Sequence, residues 1–308
     1  MVGRTLNLLQ LLNVLLIAAG LLLGRPAIAD NDNCKLIPVA SLPLQLIGGR
    51  PTVPASVEGK SIQMLVDTGG VVSELSFPLV LSLNLRPKFV ESQKIYAFGG
   101  NWEGLYVESH AFVLGSLVSD KREFIIASHN VKGIDGSLAP DILRAFDVDF
   151  DFGHGKFNLV SQKHCEGRVT YWSDEAARMP FVIDAQGHIR FKLMVDGKEF
   201  AAILDTGSTK STLSLEDAQS AFGFDRDDPA VQPAGAVNGM VPAYRYPFKT
   251  LTLGGLSVNN PQILLISEKD SKMGNLPSFA LGMDVLNQLH LYIAYGEGSI
   301  YLTAASAR

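Results

Sequence analysis

Residues 53–76 (VPASVEGKSIQMLVDTGGVVSELS) and 191–214 (FKLMVDGKEFAAILDTGSTKSTLS) align without a gap, and nine of the 24 positions are identical. Such a repeat means that one supersecondary unit is used twice. In each copy an acidic residue and a glycine, Glu58-Gly59 and Asp196-Gly197, separate two apolar stretches, as in a two-residue hairpin. An apolar strand follows, Ile62 to Val66 and Phe200 to Leu204, and runs straight into Asp-Thr-Gly. Glycine at that point lets the chain turn sharply or approach another backbone closely.

The ends of the two halves also match, now at an offset of 143 rather than 138. Leu138/Leu281, Asp141/Asp284, Leu143/Leu286, Gly153/Gly296, Gly155/Gly298 and Leu159/Leu302 coincide. Each end reads as a short helical turn, a strand, a Gly-x-Gly turn and a last strand. Helical periodicity is otherwise confined to Leu215 to Phe222, and alternation with β-branched and aromatic residues dominates. The expectation is an all-β chain of two similar barrel-like lobes, 30–165 and 180–308, joined by a polar connection, 166–179. Asp147, Asp149 and Asp151 alternate with Val148, Phe150 and Phe152, which predicts a half-buried strand with its aspartates exposed.

Composition narrows the function. The chain has 308 residues, 47% hydrophobic and 19% charged, with net charge −5, enough apolar content for a sizeable core. That mild acidity argues against nucleic-acid binding, which needs a basic patch. The six histidines show no H-E-x-x-H spacing, and G-x-S-x-G is absent, so neither a zinc hydrolase nor an elbow-type serine hydrolase has support. No metal and no cofactor is expected.

Residues 1–29 read as a signal peptide. Arg4 precedes the apolar run Val14 to Leu23, and Ala27-Ile28-Ala29 is a small-x-small cleavage site before Asp30. A retained anchor is the rival, although Asn7, Gln10 and Asn13 interrupt the apolar length that a spanning helix needs. Cleavage leaves 24 basic against 31 acidic side chains, a net charge of −7, in an exported protein, periplasmic or secreted, with no membrane attachment. In an oxidising compartment Cys34 and Cys165 are expected to pair, two free buried thiols being the alternative. Asp30 to Ile47 reads as either a short pro-segment or an edge strand.

The twin triplets Asp67-Thr68-Gly69 and Asp205-Thr206-Gly207 admit two readings. One is a repeated structural turn in which aspartate bonds its own backbone. The other brings the two carboxylates face to face about a pseudo-two-fold axis. Two such carboxylates share a proton: the ionised one activates a water, and the protonated one bonds the substrate carbonyl.

Leu65-Val66-Asp67-Thr68-Gly69-Gly70, Ile203-Leu204-Asp205-Thr206-Gly207-Ser208 and the late segment Ala280-Leu281-Gly282 resemble the motifs of the aspartic proteases. The likeness is nearest to bacterial retropepsin-like or pepsin-like chains that carry two such lobes. It covers nearly all of the mature chain. It implies a bilobal acid-protease fold with a cleft between the lobes, Asp67 and Asp205 as the catalytic dyad, and Thr68 and Thr206 as hydrogen-bonded cross-links between the loops. Gly69, Gly207 and Ser208 would support the dyad. It implies a monomer that takes an extended peptide or protein substrate under glycine-rich flaps, here Phe98-Gly99-Gly100 and Asn238-Gly239, with Tyr96, Phe98 and Trp102 lining a subsite. Two residues depart from the pattern. Gly70 lacks the hydroxyl by which Ser208 could bond its aspartate, and Ala139 stands where the second lobe has Gly282, which would loosen support for the first loop. A non-catalytic peptide-binding module of the same fold is the alternative that these departures suggest.

Overall fold

The computed structural model describes residues 34–89, 95–96, 102–127, 131–237, 241–271 and 277–305. The expected signal peptide and the residues Phe98, Gly99, Gly100, Asn238 and Gly239 lie outside them.

Each half builds a sheet in the same order. In the first, Arg50–Val57 pairs antiparallel with Lys60–Val66 through the Glu58-Gly59 turn, where both residues have positive φ (49° and 76°). Asp196 and Gly197 repeat this at 45° and 77° between Ile189–Val195 and Lys198–Leu204. This is the type I′ geometry that matches strand twist. Gly136–Leu138 then inserts between Lys60–Val66, to which it runs parallel, and Glu74–Ser76, to which it runs antiparallel. Phe279–Leu281 does the same between Lys198–Leu204 and Thr212–Ser214. The triplet therefore leaves the end of a central strand that is paired on both sides, which fixes where its aspartate sits.

The helix Leu215–Phe222 follows Ser214, whose hydroxyl accepts from the Asp217 N–H, and stops at Gly223 in the left-handed region (φ 73°). Its counterpart Phe77–Ser82 escapes periodicity because it is short, yet Ser76 caps it in the same way and a proline stands in its first turn.

The ends of the two halves do not close their own lobes. They form a six-stranded sheet shared between them, in the order Pro38–Pro43, Lys156–Val160, Asp147–Asp151, Leu289–Ala294, Ser299–Ala304, Ala177–Pro180. Pro38–Pro43 is an edge strand, as one of the two readings of that segment has it. Ala177–Met179, expected in the connection, belongs to the other edge strand. Cys34 and Cys165 form a disulfide that ties the chain entering this sheet to the chain leaving it.

The three aspartates of Asp147–Asp151 are buried, contrary to expectation. Alternation shows that one face of the strand is polar, but it says nothing about what covers that face. Here the connection folds over it. Asp149 accepts from the Tyr171 hydroxyl and the Asn158 amide, both at 2.8 Å, and pairs with His290 Nε2 at 2.8 Å. Trp172 stacks flat on the His290 ring at 3.9 Å. Asp147 pairs with His164 Nε2 at 2.5 Å and accepts from the Tyr292 hydroxyl at 3.3 Å. Among the described residues no cluster of ligating side chains is arranged for a metal ion.

Candidate active site

The two triplets meet at the junction of the lobes. Asp67 N–H donates to Leu138 O at 2.8 Å and Asp205 N–H to Leu281 O at 3.0 Å, so each loop is pinned to the strand inserted beside it. Thr68 and Thr206 are fully buried and exchange bonds in both directions. Thr68 N–H donates to Thr206 Oγ1 at 3.0 Å and Thr206 N–H to Thr68 Oγ1 at 3.1 Å. The Thr68 hydroxyl donates to Leu204 O at 2.8 Å, and the Thr206 hydroxyl to Val66 O at 2.6 Å. The reciprocity leaves the two loops one relative position.

That position puts each carboxylate against the other lobe's glycine. A Cβ added to Gly69 would run into the Asp205 carboxylate, and one added to Gly207 would run into that of Asp67. Glycine is required at both sites for close approach.

Each loop rests on a matching strut. Ser73 N–H and hydroxyl donate to Asp141 Oδ1 at 2.9 and 2.7 Å, while the Ser73 hydroxyl oxygen accepts from Ala139 N–H at 3.0 Å. In the second lobe Ser211 donates to Asp284 Oδ1 at 2.8 and 2.7 Å and accepts from Gly282 N–H at 3.0 Å. These four residues are identical pairs in the two repeats, but their sequence positions give no hint that they meet.

The departures Gly70 and Ala139 turn out to be one feature. A Cβ on Gly70 would stand 3.3 Å from the Ala139 Cβ and 3.2 Å from Asp67 Oδ2. The alanine methyl thus packs where Gly70 leaves room. In the second lobe Ser208 carries the side chain, and a Cβ on Gly282 would lie 2.5 Å from the Lys210 backbone. The small residue has changed sides, and the first loop is filled rather than loosened. Ser208 differs from expectation too. Its hydroxyl donates to Lys210 O at 2.8 Å, and it is the Ser208 N–H that reaches Asp205 Oδ1, at 3.0 Å. Asp67 Oδ1 receives two N–H bonds, from Gly69 and Gly70, both at 2.9 Å, so the missing hydroxyl costs it no donor.

Burial pushes both carboxyls above the ordinary aspartate range. Backbone N–H groups pull Asp67 back down, as do the charges of His188 and Arg50. Asp205 is raised first by burial and then by the charge of Asp67, up to about 7. The two carboxyls titrate as a coupled pair that holds one shared proton above the ordinary aspartate range.

Sequence reasoning missed Arg50 and His188. Arg50 Nε donates to Gly207 O at 2.9 Å, crossing from the first lobe to the second triplet. The signal was present: at the offset of 138, Gly49-Arg50 matches Gly187-His188, just upstream of the aligned block. For the flap segments only the flanking backbone is described. Tyr96 pairs with Trp102, and Val237 with Val241, so each segment spans an antiparallel strand pair.

Comparison with known proteins bears on the fold. A family model described as aspartyl protease matches residues 191–285, which hold the second triplet and its strut. Among solved structures, the basic 7S globulin from soybean superposes with a TM-score of 0.52 at 10% identity, covering 87% of this chain and 96% of that one. The fold is that of a bilobal acid protease. At such identity the likeness speaks to fold alone. No curated protein matches the chain.

Proposed function

We propose that the chain is an exported aspartic endopeptidase that hydrolyses peptide bonds with a water activated between Asp67 and Asp205. The observation that carries this reading is the pair of carboxylates, each packed against the opposite triplet's glycine. A structural Asx turn needs neither the close approach nor the reciprocal threonines.

The chemistry follows from the shared proton, with Asp67 written as the ionised member. Ionised Asp67 takes a proton from the water as its oxygen attacks the amide carbon, while the Asp205 proton bonds the carbonyl oxygen and steadies the developing oxyanion. The proton on Asp67 then passes to the amide nitrogen, the C–N bond breaks, and Asp205 recovers its proton from the collapsing intermediate. Atoms balance with water as the only co-reactant. The substrate would be an extended peptide or protein segment lying between the lobes. Export fits the Cys34–Cys165 disulfide, which belongs to an oxidising compartment. Both aspartates come from one chain, so a monomer suffices. The binding-module alternative was motivated by Gly70 and Ala139, which compensate each other in packing, and no other observation favours it.

The test is cleavage of a mixed-sequence peptide library by purified mature protein from about pH 3 to pH 8, beside Asp67→Ala and Asp205→Ala. Cleavage by the wild type, lost by on the order of a thousandfold in both variants, is the expected result. Activity surviving in either variant overturns the shared dyad. A folded wild type that binds peptides and cuts none overturns the enzyme reading.

A further inference from the structure

One arginine reaches from the first lobe into the loop of the second. Gln45–Ile47 pairs with the start of Arg50–Val57 as a short hairpin, and Ile47 faces Arg50 across the turn Gly48-Gly49, where both glycines have positive φ (58° and 79°). The tip of this hairpin leans on the opposite lobe. A Cβ on Gly49 would lie 3.6 Å from Thr209 Cγ2, just past the second triplet. Arg50, the first residue after the turn, donates from Nε to Gly207 O at 2.9 Å. His188 stands at the matching place in the second lobe, but its N–H and ring Nδ1 meet Asp184 of its own hairpin, at 3.0 and 3.3 Å. Among the described residues this crossing hydrogen bond is one-sided.

The carbonyl that Arg50 reaches is half of one amide, and the other half faces a dyad carboxylate. Ser208 N–H, on the same peptide bond as Gly207 O, donates to Asp205 Oδ1 at 3.0 Å. A trans peptide points its oxygen and its hydrogen to opposite sides, and the described chain contains no cis bond. The Gly207–Ser208 amide thus lies between a guanidinium on its oxygen side and a carboxylate on its hydrogen side. The positive charge draws electron density toward the oxygen, which strengthens the bond that the N–H makes to the carboxylate. It also fixes the plane of the amide, because a tilt that takes the N–H off Asp205 takes the oxygen off Arg50. Gly207 is the glycine on which a Cβ would stand 2.5 Å from Asp67 Oδ1. The backbone that Arg50 holds therefore touches both carboxylates.

We propose that Arg50 is a positioning residue for the dyad: from the first lobe it holds the Gly207–Ser208 amide so that the Ser208 N–H stays on Asp205. The inference rests on the dyad reading given above and adds a residue to it. Arginine stays charged throughout the pH range in which a protein survives, so the brace is permanent. The first loop supplies an internal control. There the corresponding amide, Gly69–Gly70, gives its N–H to Asp67 Oδ1 at 2.9 Å, while Arg50 donates to the other loop.

The experiment uses two variants of the purified protein. Arg50→Ala removes the brace, and Arg50→Gln keeps a neutral donor and loses the charge. Two readouts are taken: the amide proton shifts and hydrogen exchange of Ser208 and Gly70 by NMR, and kcat and KM separately for peptide cleavage. In Arg50→Ala the Ser208 amide proton is expected to move upfield and to exchange at least about tenfold faster, with Gly70 unchanged, as its bond weakens. There kcat is expected to fall about tenfold with KM within about twofold of the wild type, the pattern of a lost alignment and not of lost binding. Arg50→Gln is expected to move the same way by less, and it carries the test if the truncated chain does not fold. If Ser208 stays in place in both variants, or if Ser208 and Gly70 shift together, Arg50 only joins the lobes and the proposal fails. Cleavage lost while Ser208 stays in place also overturns the proposal and leaves the dyad reading standing. A wild type that cuts no peptide, but whose Ser208 amide responds to Arg50→Ala while Gly70 does not, keeps the Arg50 role and overturns the cleavage reading instead.

Discussion

The first and second triplet loops are built on one plan and finished differently. Both leave a central strand, both rest on a Ser–Asp strut, and both lock through a threonine. Around that common frame the first lobe uses Gly70, Ala139 and Pro140, and the second uses Ser208, Gly282 and Met283. Met283 N–H donates to Ser208 O at 2.9 Å. Proline at 140 has no N–H to offer, and there the Ala139 methyl packs against Gly70 instead. The strut differs as well: Asp141 has Arg122 at 2.5 Å on its other oxygen, whereas burial pushes Asp284 above the ordinary carboxylate range. Pairs of substitutions have moved together while the positions of the two aspartates were kept. Symmetry is held where the loops touch and relaxed where each loop meets its own lobe.

The largest effect that would break this comparison is a swap beneath the loops. Gly282→Ala drives a methyl into the Lys210 backbone, which cannot yield as a side chain could, and is expected to destabilise by about 2–3 kcal/mol. The mirror change, Ala139→Gly, removes one methyl and is expected to cost about 1 kcal/mol. Urea unfolding of both variants measures the difference, and equal costs would mean that the two floors pack alike.

The acidity of the second carboxyl gives the next effect. An unfolded aspartate releases its proton near pH 4, but folded Asp205 holds it to about 7. Between those values unfolding releases a proton, so this group makes the fold less stable as pH rises. Asp205→Asn removes that penalty. The variant is expected to unfold at higher urea concentration than the wild type at pH 7 and at the same concentration below about pH 4. A midpoint difference that does not depend on pH would remove the assignment of the proton to Asp205.

The smallest effect sharpens the link between Gly70 and Ala139. Gly70→Ser brings a Cβ to 3.3 Å from the Ala139 methyl, a crowding expected to cost about 1 kcal/mol. Adding Ala139→Gly is expected to recover at least half of it, as contacting residues couple by about 0.5 kcal/mol or more. Simple additivity in the double variant would show that the two departures are unrelated.

Much of this was legible in the residues. The gapless repeat, the acidic-Gly hairpins and the serine-capped helix Leu215–Phe222 are local signals, and each encodes a conformation within a few residues of itself. The cysteine pairing was readable from parity together with the expected export. The meeting of Ser73 with Asp141 and Ser211 with Asp284 was not, since nothing in sequence separation says which identical positions touch. The burial of Asp147, Asp149 and Asp151 was not either. Alternation marks a polar face, and only the Tyr171-Trp172 segment laid over it decides that the face is dry.

The sequence by itself determined two lobes, their hairpins and the candidate aspartates, because these depend on backbone preferences and on a duplication written into the chain. The tertiary structure alone decided that the halves share a sheet, that each carboxylate abuts the other lobe's glycine, and that burial holds the pair's shared proton above the ordinary aspartate range. Those outcomes depend on which distant segments meet and on the desolvation that follows, both set by distance in space and not by distance along the chain.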